Sequence, residues 1–287
     1  MSSVKHYLGC ALGFLISGLN PLYWVALKSL PCEELLYHRS VWTALTLFGV
    51  LALLPRHSRK LLRNWQKDLP FLILSTLCLG LNWFSYIWAV NHGLILDASI
   101  AYFISPLISV VLSTIVLHEK QSRKQWLAFA CCLFGVLSYA LVTGHIPSLA
   151  LLIASSFSLY GMLTKFMITP SLQRMLFEAV LGSVVVSICL HQHCSLANIT
   201  TYNTTTALLL MGSGLITALP GFLLIQSARN LPYSVVGILN YIVPSTIFCL
   251  GVFHFGELLS YPKLFMVACI WVGVLIYFRC MRPPSRA

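Results

Sequence analysis

Apolar runs follow one another along almost the whole chain, each about as long as the roughly 17–25 residues that a helix needs to cross a bilayer. They fall at 7–27, 35–54, 70–90, 98–118, 126–143, 148–166, 174–191, 206–228, 234–254 and 262–279. The runs are continuous rather than alternating, which points to helices and away from a barrel. The breaks are short, the longest being Pro55–Asp68 and His191–Thr206. None can form a separate soluble domain. Only 9% of the 287 residues are charged, against about 25% in a soluble domain, so lipid is the expected solvent. The expected fold class is an all-α integral membrane protein with ten transmembrane helices.

Two segments repeat. "LHEKQSRKQWLAFACCLFGVLSYA" (Leu117–Ala140) and "FGELLSYPKLFMVACIWVGVLIYF" (Phe255–Phe278) share a Glu, a Ser three residues on, Ala-Cys, and Gly-Val-Leu-x-Tyr. The offset is 138 residues. At that offset Ile100, Ile104, Pro106, Leu112, Glu119 and Ser122 meet identical residues, as do Ala130, Cys131, Gly135, Val136, Leu137 and Tyr139. The repeat unit is five helices, 1–143 and then 144–287. Five is odd, so the second copy enters the membrane inverted. The Lys/Arg bias of short loops agrees. With the N-terminus in the cytoplasm, only Lys28, Arg39 and Lys263 of the 18 basic residues fall outside. The first copy follows its Glu with Lys120, Arg123 and Lys124, on the inside. The second, on the outside, keeps only Lys263.

Inverted halves can exchange conformations and turn an outward-open cavity inward, which is the logic of secondary transporters with a site near the midplane. The chain shows no paired carboxylates, HExxH, GxSxG or phosphate-binding loop, so an enzyme is not expected. No cofactor and no metal are expected either. The net charge of +11 fits loops facing anionic lipid better than nucleic acid. Most of the 10 cysteines lie in apolar runs and behave as small hydrophobes. The lone cluster His191–Cys194 is weak as a metal site. Asn198 and Asn203 open glycosylation sequons that matter only in a eukaryotic secretory setting.

Polar residues within a span usually face the protein interior. Asn82 and Tyr86 share a face of the third span, and Trp83 could stack on an aromatic solute. Tyr102 and Ser105 lie on a stripe of the fourth, Tyr160 on one of the sixth, and Asn240 and Tyr241 on one of the ninth. These eight are the candidate substrate-binding residues. Small polar residues at such spacing also serve close helix packing. Pro106 and Pro244, equivalent in the repeat, each remove a backbone donor mid-span and are candidate hinges. Glu178 lies well inside a span, as a proton carrier, a partner for a cationic solute, or an ion-pair partner of Arg174. With His38 and Arg39 it completes the candidate coupling and gating set. Glu33, Glu34, His38 and Arg39 are expected near the outer mouth.

"CEELLYHRSVW" (Cys32–Trp42), "GLNWFSYIWAVN" (Gly80–Asn91), "DASIAYFISPL" (Asp97–Leu107) and "NYIVPS" (Asn240–Ser245) resemble the RarD branch of the EamA-type drug/metabolite transporters. The resemblance covers nearly the whole chain. It implies two inverted EamA repeats, a bacterial inner membrane, and transport of small metabolites or drugs. RarD proteins are linked to chloramphenicol resistance. The wider superfamily includes amino-acid exporters and carriers of nucleotide sugars and adenosylmethionine. Asp97 stands where the branch has Glu, and Ser105 where Asn precedes the proline. The expected function is therefore a secondary carrier of a small polar solute, aromatic or cationic, coupled to protons or working by exchange. An exchanger of a nucleoside-like cation such as S-adenosylmethionine is the alternative, and a non-transporting membrane enzyme or scaffold a more distant one. The expected partners are the solute and membrane lipid, with no nucleic acid, in a monomer or a dimer whose two termini are cytoplasmic.

Overall fold

The computed structural model describes residues 2–53, 65–116, 118, 122–144, 147–169, 171–190, 196–228 and 239–280. The described chain is helical. α1 (Ser2–Gly18) gives way to α2 (Asn20–Val25), where Pro21 occupies a first-turn position that needs no N–H. Then come α3 (Cys32–Leu53), α4 (Trp65–Asn91), α5 (Ile95–Val116), α6 (Arg123–Thr143) and α7 (Ser148–Leu163). They are followed by α8 (Ser171–Leu190), α9 (Thr204–Ala228), α10 (Ile242–Cys249) and α11 (Tyr261–Cys280). α10 widens into a π-helical turn over Leu250–His254.

Six stretches are long and apolar enough to cross a membrane: Val4–Val25, Gln66–Asn91, Ile95–Val116, Trp126–Thr143, Ser148–Phe166 and Thr204–Leu224. Ile242–His254 and Tyr261–Gly273 are shorter apolar helical stretches. α3 has 22 residues but carries Glu33, Glu34, His38 and Arg39 in its first half. Exposure runs opposite to that of a soluble domain. Leu141 is 83% and Ile188 70% exposed, while Glu34, Arg39, Asp68 and Glu178 are buried. Apolar side chains outside and charges inside match a lipid solvent.

α6 lies along α11. Cys131 Sγ sits 3.4 Å from the carbonyl of Cys269, and Cys132 Sγ 3.5 Å from that of Ile270. Gly135 and Gly273 allow this approach. A Cβ on Gly135 would stand 2.7 Å from that of Cys269, and one on Gly273 would stand 2.7 Å from the Ala128 carbonyl. Small residues let backbones meet where lipid supplies no hydrophobic drive.

α4 ends in a Schellman turn. Gly93 takes φ +71°, and Leu94 donates to the Ala89 carbonyl at 2.8 Å. α5 starts two residues later, and its first free N–H groups need acceptors. Glu257 supplies both. Its carboxylate accepts from Ile95 N at 2.6 Å and Leu96 N at 2.9 Å. Beside it Lys263 Nζ meets Asp97 at 2.9 Å. Burial pushes the Glu257 carboxyl above its ordinary range, against the pull of the two N–H donors and Lys263. Glu257, reached from α10, thus ties the second half of the chain to the start of α5. Glu257→Ala should cost about 1–2 kcal/mol, the usual loss of a helix cap. Thermal unfolding of the detergent-solubilised protein measures it, and Glu257→Gln, which keeps one acceptor, should fall between.

Candidate functional site

A cavity of about 230 Å³ lies among α1, α3, α4, α5, α7, α9 and α10. That is below the roughly 300–1,000 Å³ of pockets for drug-sized ligands, so it suits a small solute. Trp83 and Tyr86 reach it from α4, and Tyr102 and Ser105 from α5. Asn240 and Pro244 reach it from the start of α10, and Arg39 from α3. These seven were all legible as candidates. Phe14 and Ser17 of α1, Asn20 of α2 and Phe157 of α7 also line it, and the stripe analysis missed them. A signal existed. Ser17, Asn20 and Pro21 fall together in an otherwise apolar run, and that is where α1 breaks.

The other candidates lie elsewhere. Asn82 turns to α7, donating to the Ile153 carbonyl at 2.9 Å and reaching Ser156 Oγ at 3.4 Å. Its amide is satisfied by packing. Tyr160 points at Glu178, with its hydroxyl 3.2 Å from the carboxylate. Glu178 also accepts from Ser75 Oγ at 2.9 Å and has Arg174 Nε at 3.9 Å. It is therefore the hub of a buried network joining α4, α7 and α8, away from the cavity. Tyr241 stacks on Phe103 with ring centroids 6.2 Å apart. His38 is buried, 3.8 Å from the Glu34 carboxylate. Pro106 belongs to α5, but its side chain, like Glu119 and the His191–Cys194 cluster, lies outside the described residues.

Arg39 departs most from its expected place. α3 starts at Cys32, so Arg39 sits two turns into the helix and not at its mouth. It is 5% exposed. Its guanidinium carbon lies 3.9 Å from the centre of the Trp83 ring and 5.2 Å from that of Trp24. Nε and Nη1 are buried without a hydrogen-bond partner, and no ion pair to Arg39 occurs among the described residues. A charge within a span costs at least ~2.5–3.5 kcal/mol. Cation–π contact returns about 0.5–2. Tyr86 Oη and Asn20 Oδ1 are also buried without partners. The site holds polar groups that the protein itself leaves unmatched.

Hydrogen bonds tie the walls together. Ser99 Oγ donates to the Pro244 carbonyl at 2.8 Å, joining α5 to α10. Ser158 Oγ donates to the Ser105 carbonyl at 2.7 Å, joining α7 to α5. Tyr86 and Tyr102 meet edge to face at 5.9 Å, and Tyr102 meets Phe157 at 5.5 Å.

Residues 5–141 match the EamA-like transporter family. An uncharacterized transporter of Bacillus subtilis, YojE, is 37% identical over 273 residues, covering 93% of this chain and 91% of that protein. Protein RarD of Salmonella typhi is 33% identical, covering 92% and 91%. The chain is a RarD-type member of the EamA-like transporter family. As such it is a multi-pass membrane protein of a transporter family, as the apolar exterior requires. Protein RarD of Escherichia coli is 32% identical over 92% of this chain. A solved crystal structure aligns over 96% of this RarD-type chain and 97% of its own, with a TM-score of 0.61. At 14% identity that likeness shows the fold alone.

Proposed function

We propose that the chain is a secondary carrier of a small metabolite, with ten spans in two inverted five-helix units (1–143 and 144–287) in a bacterial inner membrane, both termini cytoplasmic. The observation that carries this reading is the pairing of helices. Helix n of one unit and its counterpart in the other meet directly: α3 with α8, α5 with α10, α6 with α11. The remaining neighbours come in matched pairs. α1 against α9 mirrors α7 against α4, and α5 against α7 mirrors α10 against α1. Cys131 touching Cys269 and the reciprocal fit of Gly135 and Gly273 repeat the pattern at residue level, at a separation of 138. Such a relation between halves supports a two-fold axis in the membrane plane.

The cavity straddles that seam. Tyr102 and Asn240 line it 138 residues apart, and so do Ser105 and Val243. Pro244 has Pro106 as its counterpart. Each proline frees the carbonyl four residues earlier, which is Tyr102 in one half and Asn240 in the other. Rocking of the halves would carry the solute across. Glu178 or His38 would serve proton coupling. Alternatively the carrier exchanges one solute for another. Proteoliposomes holding the purified protein decide. They should show solute flux that empty liposomes lack, and no flux with any solute tested would end the reading. Flux that survives an uncoupler but needs internal solute identifies exchange. Flux that follows the pH gradient and loses that dependence in Glu178→Gln identifies Glu178 as the coupling group.

A further inference from the structure

On the reading that this cavity is the transport site, we propose that its cargo is a small organic carboxylate, an anion with a flat apolar body, gripped by Arg39. Arg39 supplies the one formal charge among the cavity's described lining residues, and no Asp or Glu stands among them. A cation would meet a positive wall with nothing to neutralise it. A zwitterion would find a partner for its carboxylate and none for its ammonium. An anion meets its complement.

Geometry narrows the anion further. The guanidinium lies over Trp83 and Trp24, so its face is taken by aromatic rings. Its N–H groups point in plane, and Nε and Nη1 have no partner. An in-plane N–H fork matches the two oxygens of a carboxylate. The Tyr86 hydroxyl, also without a partner, lies in the same wall and can donate to the same group. Phe14, Tyr102 and Phe157 form the rest of an aromatic enclosure, which suits a planar apolar body. The volume of about 230 Å³ restricts that body to one ring or a short chain. The S-adenosylmethionine-like cation suggested by the wider superfamily fits neither the charge nor the size.

The test is calorimetry and thermal shift on the detergent-solubilised full chain. The probes are acetate, pyruvate, benzoate and indole-3-acetate, with benzamide and benzylamine as neutral and cationic matches of benzoate and inorganic phosphate as a non-planar anion. Benzoate or indole-3-acetate should bind and raise the unfolding temperature, while benzamide, benzylamine and phosphate should not. Arg39→Gln should weaken carboxylate binding by roughly 30-fold or more, and Arg39→Lys, which keeps the charge without the fork, by less. Where Arg39→Gln fails to fold, the benzoate–benzamide comparison on the unaltered protein decides. Equal binding of benzamide or benzylamine, preference for phosphate, undiminished binding by Arg39→Gln, or no response to any carboxylate would each overturn the assignment. Carboxylate binding without flux in proteoliposomes would remove the carrier reading and leave the anion site standing. Flux of another solute, unaffected by every carboxylate, would do the reverse.

Discussion

Gly214→Leu is expected to abolish folded protein. A Cβ at Gly214 on α9 would stand 2.1 Å from the Trp42 carbonyl oxygen and 2.3 Å from its carbon, both backbone atoms of α3. Side chains can rotate away from an intruding methyl, but a helix backbone cannot. α9 runs along α3 through this contact, so relief requires the two helices to separate. Over-packing of a flexible site costs about 1–3 kcal/mol. Here the lost helix contact adds to it, and the sum approaches the whole stability of a marginal protein. Gly214→Ala should already lower the unfolding temperature by several degrees. Size-exclusion profiles and thermal unfolding in detergent check both variants. A Gly214→Leu protein that stays monodisperse with an unchanged melting point would contradict the close approach.

The second large effect separates two residues that look alike in the sequence. Asn82 and Tyr102 both lie on polar stripes, yet only Tyr102 borders the cavity. Tyr102→Ala should lower flux per folded molecule at least tenfold and change stability little, because the ring already borders open space. Asn82→Ala should do the opposite. It deletes the bond to the Ile153 carbonyl and leaves that buried acceptor unmatched, a cost of about 1–3 kcal/mol. The surviving folded protein should transport normally. Flux assays normalised to folded protein, with thermal unfolding beside them, read both effects. Loss of flux by Asn82→Ala at full stability would place the cavity elsewhere.

The sequence was informative about the helices and less so about which way side chains face. Each apolar run expected from composition has a described helix within it, because a bilayer leaves a chain little alternative to helices. Helix breaks were harder to see. Leu19 separates α1 from α2 inside what reads as one run. Seven site candidates line the cavity, but Asn82, Tyr160 and Tyr241 do not. A polar stripe shows that a face is buried, and it cannot show whether the neighbour is a cavity or another helix. The Ile153 carbonyl that holds Asn82 lies 71 residues away, beyond any local pattern. Arg39 was expected at the membrane surface because Arg is costly at depth. The reason it sits deeper, a Trp83 ring 3.9 Å away, is a tertiary fact. The Glu common to both repeat copies carried no role in the sequence. Its second copy, Glu257, caps α5.

The central claim is that two equivalent five-helix units face opposite ways across the bilayer and hold the cavity between them. Ser122 and Ser260 occupy the same position in the two units, and both are exposed. Single cysteines at these sites (Ser122→Cys and Ser260→Cys), on a background with the native cysteines replaced, can be challenged in intact cells with a membrane-impermeant maleimide. The account predicts that Cys at 260 is labelled from outside and Cys at 122 only after the membrane is opened. Labelling of both from the same side would contradict it.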